Sequence, residues 1–379
     1  MPVGLYLHYP FCTNCCGYCN FFKLPFDRER EKRYYRALIR ETELVAAEWP
    51  DNDRRISSLF VGGGTPSLTD FDLFAAWLDR ARELFEFMGD IEFSVECNPE
   101  SADSDTLIAF KQLGVTRPTF GIQSFDSKLL KQIGRIHKPH DSQRAIYLAN
   151  VFEFDSIGVD IMYGLPGQNV RMFEADLGQI IDLDPPHVSM YQLTVEPDTP
   201  LWSQVVDKKV IMPSPERTAE LYSLGSSTLN DAGYHRYEIL SFARPGHECR
   251  HNLGYWQGRD YLGLGPSAHS FIEGRRYANE ADLSLYVESL ECGRRPLVHD
   301  QSGMQERITE AIMLGLRLND GINRRRFAAQ FGQPLDKQLN RTQYNLLVES
   351  GHLIPDRGNL RLSEEGINLA DEITRRLLK

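Results

Sequence analysis

Six short apolar runs, each followed by a longer amphipathic or polar stretch, fill the first 195 residues and restrict what this chain can become. They are "GLYLHYP" (4–10), "SLFVGGG" (58–64), "IEFSVEC" (91–97), "RPTFGIQSF" (117–125), "IGVDIMYGLP" (157–166) and "HVSMYQLTV" (187–195). Between them lie helix-patterned segments such as 28–49 and 70–87. Runs that are apolar throughout read as strands buried on both faces, and regular βα alternation makes their sheet parallel. Six units are two short of a closed (β/α)8 barrel. The expected fold is therefore α/β, a partial (β/α)6 TIM-like barrel over residues 1–195, open to a ligand at the C-terminal strand ends.

Residues 196–303 are rich in Gly, Pro and aromatics and read as an extension of the barrel. From 304 the texture becomes helical: 304–318, 323–331 and 335–354 read as helices, then a short strand, a Ser363 N-cap and a last helix. The expectation for 304–379 is a small, mostly helical, winged-helix-like domain that serves as a lid or a docking module. A DNA-binding role is disfavoured, because 42 Lys and Arg against 53 Asp and Glu give a net charge of −11. No run of 18 apolar residues exists and the N-terminus lacks a basic leader, so a cytoplasmic protein is expected.

Four of the seven cysteines lie within "CTNCCGYC": Cys12, Cys15, Cys16 and Cys19. Two parsings compete. Two abutting C-x-x-C pairs would suggest zinc, but closed zinc sites usually separate their two knuckles by a loop. Alternatively Cys12, Cys16 and Cys19 form C-x-x-x-C-x-x-C and leave Cys15 over. Three thiolates on one loop suit an iron–sulfur cluster with one iron left open to a small ligand. Further along, Glu96, Gln123 and Asp160 stand in or at the close of apolar runs, and Arg135 follows the fourth. Burying such groups is unfavourable unless they are paired or bind something, and together they read as a ring around a polar ligand. The glycines of "VGGGTPS" (61–67) permit close backbone approach at the end of the second run.

"YLHYPFCTNCCGYC" resembles the cluster loop of radical S-adenosylmethionine (SAM) enzymes. The resemblance implies a [4Fe-4S] cluster on Cys12, Cys16 and Cys19, with Tyr18 beside it and SAM on the open iron. It implies that reduction of the cluster cleaves SAM to a 5′-deoxyadenosyl radical. It also assigns Tyr6, Gly63, Gly64, Thr65, Glu96, Gln123, Arg135 and Asp160 to the SAM site, and gives Cys15 no role.

"GRIHKPH", "DIMYGLPGQ", "YQLTVEPDTP" and "HNLGYWQGRDYLGLGPSAHSF" are similar to one branch of that family, which holds the oxygen-independent coproporphyrinogen III dehydrogenases and the HemW-type haem chaperones. Two features favour the chaperones. The dehydrogenases carry a further cysteine where this chain has Phe21, and a long N-terminal extension, whereas only eleven residues precede Cys12 here. "HNLGYW" (251–256) matches the H-N-x-x-Y-W stretch of the haem-binding members, which implies His251 as the iron ligand, with His269 and His247 as lesser candidates. A neutral imidazole is a common axial ligand and the two aromatics suit a porphyrin face. The resemblance thus implies haem as cargo, respiratory haemoproteins as acceptors, peripheral membrane contact through them, an unidentified electron donor and a possible homodimer. The alternative it leaves is oxidative decarboxylation of coproporphyrinogen III.

Overall fold

The computed structural model describes residues 2–49, 54–300, 302–356 and 358–378. Each of the six apolar runs forms a strand: Val3–Tyr9, Arg55–Gly63, Glu86–Cys97, Arg117–Gln123, Gly158–Tyr163 and His187–Gln192. They pair in chain order and all in parallel, the half-open barrel that the alternation predicts. Side-chain-capped helices cross between them: Asp27 accepts from the Arg30 amide, Asp70 from Asp72 and Leu73, Asp103 from Thr106. Each cap satisfies amides that a helix start leaves without partners.

The sheet does not stop at residue 195. Tyr261–Leu264 pairs in parallel with the free side of the first strand (Leu7 opposite Leu264), and Ser241–Ala243 pairs antiparallel with the sixth. Among the described residues twelve strands thus form one open sheet, flanked by antiparallel strands on both sides. Those additions are three to five residues long and lie close together in sequence, so the helical period that marks βα units is missing from this stretch.

Residues 304–377 form helices around a three-stranded sheet (Ile322–Asn323, Asn359–Leu362, Leu353–Pro355). This unit covers the edge strand His235–Glu238: the Ile239 amide donates to the Arg317 carbonyl and the Asn319 amide to that of Tyr237. Ser363 caps as expected, accepting from the Gly366 amide.

Two helical expectations need correction. The segment 70–87 is helix only over Phe71–Leu84, because Glu86 already pairs with Arg55 in the sheet. The segment 335–354 is three elements. Asn340 caps a new helix, Arg341–Glu349, and Gly351 at φ +76° ends that helical region before the Leu353–Pro355 strand.

Candidate cofactor site

The first strand delivers the cysteine loop to the C-terminal mouth of the barrel. Phe11–Cys12 pairs with Leu24–Pro25, closing the loop that carries the other three cysteines. The neighbouring strand end braces its stem, with the Gly64 amide donating to the Tyr9 carbonyl at 2.7 Å and the Thr65 amide to that of Phe11 at 2.8 Å. Two glycines are required here. A Cβ at Gly64 would stand 2.6 Å from the Phe11 carbonyl oxygen. Gly63 has φ +110° and would drive a Cβ to 2.6 Å from the His8 ring.

The four thiols differ in environment. Cys12 is buried and accepts from the Thr65 hydroxyl at 3.3 Å; Cys16 accepts from the Arg135 guanidinium at 3.7 Å. Cys19 is half-buried, and its amide donates to the Cys16 carbonyl. Cys15 is exposed, and its sulfur receives no hydrogen bond among the described residues. Burial pushes the Cys12 thiol up to about 11, so the proton leaves readily only when a cation takes its place. As folded, no three His, Cys, Asp or Glu side chains among the described residues are gathered tightly enough to hold a metal ion.

Polar groups converge above the loop. Arg135, in the turn between the Ser127–Gln132 and Pro139–Val151 helices, also donates to Asn98 Oδ1 at 2.9 Å and to the Gly121 carbonyl, while its buried Nε has no acceptor among the described residues. A Cβ at Gly121 would meet both Gln123 Nε2 and Arg135, which places Gln123 in the same ring. Gln123 holds φ +67°, an unusual conformation for a non-glycine residue. Glu96 accepts from the Gly63 amide at 3.1 Å. Tyr18 packs among Leu129, Ile133 and Met162, and burial pushes its phenol up, with Arg135 pulling the other way. Tyr6 shares a hydrogen bond with His8 at 3.1 Å, and His8 in turn reaches the Phe22 carbonyl at 2.8 Å.

Burial pushes Glu96 up to about 7, and burial together with the Glu96 charge does the same for Asp160. These two acids have no ion-pair partner of their own among the described residues, which suits a cationic ligand. The folded state holds their protons more tightly than the unfolded chain. Their stabilising contribution is therefore present at low pH and lost as pH rises through 7. Metal-free protein should lose stability, and so melt at a falling temperature, between pH 5 and pH 8, by about 2–3 kcal/mol for each acid, and Glu96→Gln with Asp160→Asn should flatten that slope. A thermal unfolding series across pH checks it; a slope that persists in the double variant counts against these two acids as its source.

The structure thus gathers Tyr6, Cys12, Cys16, Tyr18, Cys19, Gly63, Gly64, Thr65, Glu96, Gln123, Arg135 and Asp160 at one mouth, and it adds two residues that sequence reasoning missed. Asn98 bridges Thr65 and Arg135, and His8 links Tyr6 to the loop. For Asn98 a signal existed, a polar residue directly after the third apolar run.

His251 is elsewhere. It sits on the Arg250–Trp256 helix, buried against Gly4 and Ser58, five residues and ~16 Å down the second strand from Gly63. Both ring nitrogens are engaged, Nδ1 with the Ser58 hydroxyl at 2.9 Å and Nε2 with the Tyr255 hydroxyl at 2.8 Å. The ring stacks on Phe60, and burial holds it down to about 3, so it is neutral. An iron at this imidazole requires that one of those two hydroxyls give way. His269 is exposed at the head of a strand, and His247 reaches the Ser156 hydroxyl at 3.1 Å.

Comparison with known proteins adds six findings. The model of the Radical SAM superfamily matches residues 6–180, and that of the HemN C-terminal domain matches residues 304–369. The chain is 33% identical over 371 residues to the heme chaperone HemW of Bacillus subtilis, covering 97% of each. It is 34% identical to HemW of Mycobacterium tuberculosis, covering 100% of this chain and 95% of the other, and 36% identical to that of Escherichia coli over 72% of each. Among solved structures, coproporphyrinogen III oxidase (HemN) from Escherichia coli, a radical SAM enzyme, superposes with a TM-score of 0.83 at 24% identity, over 99% of this chain and 89% of that one.

Proposed function

The chain belongs to the radical SAM superfamily and, within it, to the HemW family, and from that premise we propose that it binds haem and hands it to respiratory haemoproteins. The similarity to HemW over 97% of the chain carries this reading. Its mouth suits a SAM-bound [4Fe-4S] cluster. Three free thiols lie on one loop and two of them already receive hydrogen bonds; among the described residues an Arg135 Nε–H has no acceptor and the two raised carboxylic acids have no ion-pair partner. Cys12, Cys16 and Cys19 would hold the cluster. Gly63, Gly64 and Thr65 would present backbone and hydroxyl groups to the SAM methionyl end, and Glu96 and Asp160 would balance its positive charge. Bound there, the pair would supply one-electron reduction of SAM. In this reading it serves structure or gating rather than porphyrin decarboxylation, and the 304–379 unit docks the acceptor.

Anaerobic titration of the full chain with haem tests the chaperone reading. A Soret band that saturates at one haem per chain is expected, and its shape should change in His251→Ala if that imidazole ligates the iron. Failure to saturate, or formation of protoporphyrinogen from coproporphyrinogen III with SAM and reductant, would overturn the reading in favour of the dehydrogenase.

A further inference from the structure

The tyrosine of the H-N-x-x-Y-W stretch faces a cavity. Tyr255 donates to or accepts from His251 on one side and on the other lines a cavity of about 480 Å³ between the barrel extension and the C-terminal unit. Tyr255 and Tyr261 meet edge to face with ring centroids 4.5 Å apart, Phe271 lies 6.4 Å beyond Tyr261, and Phe331 closes the far wall from the C-terminal unit. A row of three rings makes an apolar wall for a flat ligand.

The rim is cationic and partly uncompensated. Of the four arginines on the cavity, Arg276 is paired with Glu310, and Arg307 donates to the Gly274 carbonyl while its buried Nε has no acceptor among the described residues. Arg259, from the barrel extension, and Arg326, from the C-terminal unit, have no carboxylate partner among the described residues, where Arg326 donates only to the Gln257 carbonyl. Burial and the nearby Arg259 charge both make the Arg326 cation harder to hold. Two like charges facing one cavity are relieved by an anion. Three acids line this cavity: Glu310 is taken up by Arg276, while Asp260 and Glu273 lie together, the Glu273 amide donating to Asp260.

We propose that this cleft takes a flat aromatic ligand bearing carboxylates, with the macrocycle against Tyr255, Tyr261 and Phe271 and the carboxylates on Arg259 and Arg326. The proposal rests on the haem-binding reading and locates it: the propionates are held here, and Tyr255 is the side chain that must move for His251 to reach the iron.

The test titrates the full chain with haem, with metal-free protoporphyrin IX and with its dimethyl ester, following absorbance and tryptophan quenching. Arg259→Glu with Arg326→Glu should weaken both free acids at least tenfold, Arg259→Lys with Arg326→Lys should stay within about threefold, and the ester should bind the parent protein no better than it binds the Glu variant. Arg259→Glu alone, at an exposed position, gives the same direction if the double variant unfolds. Free-acid binding that is unchanged in the Glu variants, or as tight for the ester, overturns the cleft while leaving the chaperone reading intact. Protoporphyrin that binds and responds while haem does not would keep the cleft and remove the chaperone. Absence of binding by all three removes both.

Discussion

Replacing Cys12, Cys16 or Cys19 by alanine should abolish retention of iron and sulfide in protein assembled without oxygen, whereas Cys15→Ala should leave both within about a fifth of the parent level. A cluster has no affinity to spare for a lost thiolate, since each Cys–iron bond is a main holding interaction and binding free energy of this kind runs to about 10 kcal/mol or more in structural metal sites. The thiols are already sorted by their surroundings. The sulfurs of Cys12 and Cys16 accept hydrogen bonds from Thr65 and Arg135, contacts that stabilise thiolates, while Cys15 points to solvent. Cys19 is distinguished by spacing alone. Iron and sulfide assays, with circular dichroism to confirm folding, decide the matter. Loss of metal in Cys15→Ala equal to that in the other three, with zinc in place of iron, would restore the two-pair reading and remove SAM from the account.

What could be read in the sequence was whatever sits close together in the chain or repeats with a period. The six buried strands, the capped helices, the cysteine spacing and the acids Glu96 and Asp160 announce themselves because an apolar run interrupted by a carboxylate is unfavourable without a partner. The antiparallel flanks were not legible, because three- to five-residue strands carry too few alternations to establish a period. Long-range pairing was not legible either. The motif shows His251 beside two aromatics, but only the register of Gly4, Ser58 and the Arg250–Trp256 helix reveals that both of its nitrogens are already occupied. The same holds for His8, whose bond to Phe22 spans fourteen residues of the cysteine loop.

Arg117→Met should destabilise the fold by about 3–5 kcal/mol, a large fraction of an ordinary domain's stability. Arg117 and Glu92 are an ion pair at 3.4 Å whose side chains are only 5% and 6% exposed. Removing the cation strands a carboxylate in the barrel wall. It also releases the carbonyls of His247 and Glu248, which Arg117 holds at 2.8 and 3.3 Å. Glu92 cannot simply turn to water, because it caps the helix that carries His251, accepting from the Arg250 and His251 amides at 3.0 and 2.9 Å. Adding Glu92→Gln to Arg117→Met removes the stranded charge and keeps one capping oxygen, so it should recover roughly half of the loss. Urea unfolding of the parent, both single variants and the double variant gives the coupling directly. A loss under about 1 kcal/mol in Arg117→Met would mean that water already reaches Glu92. The buried pair would then not be what anchors the His251 helix to the third and fourth strands.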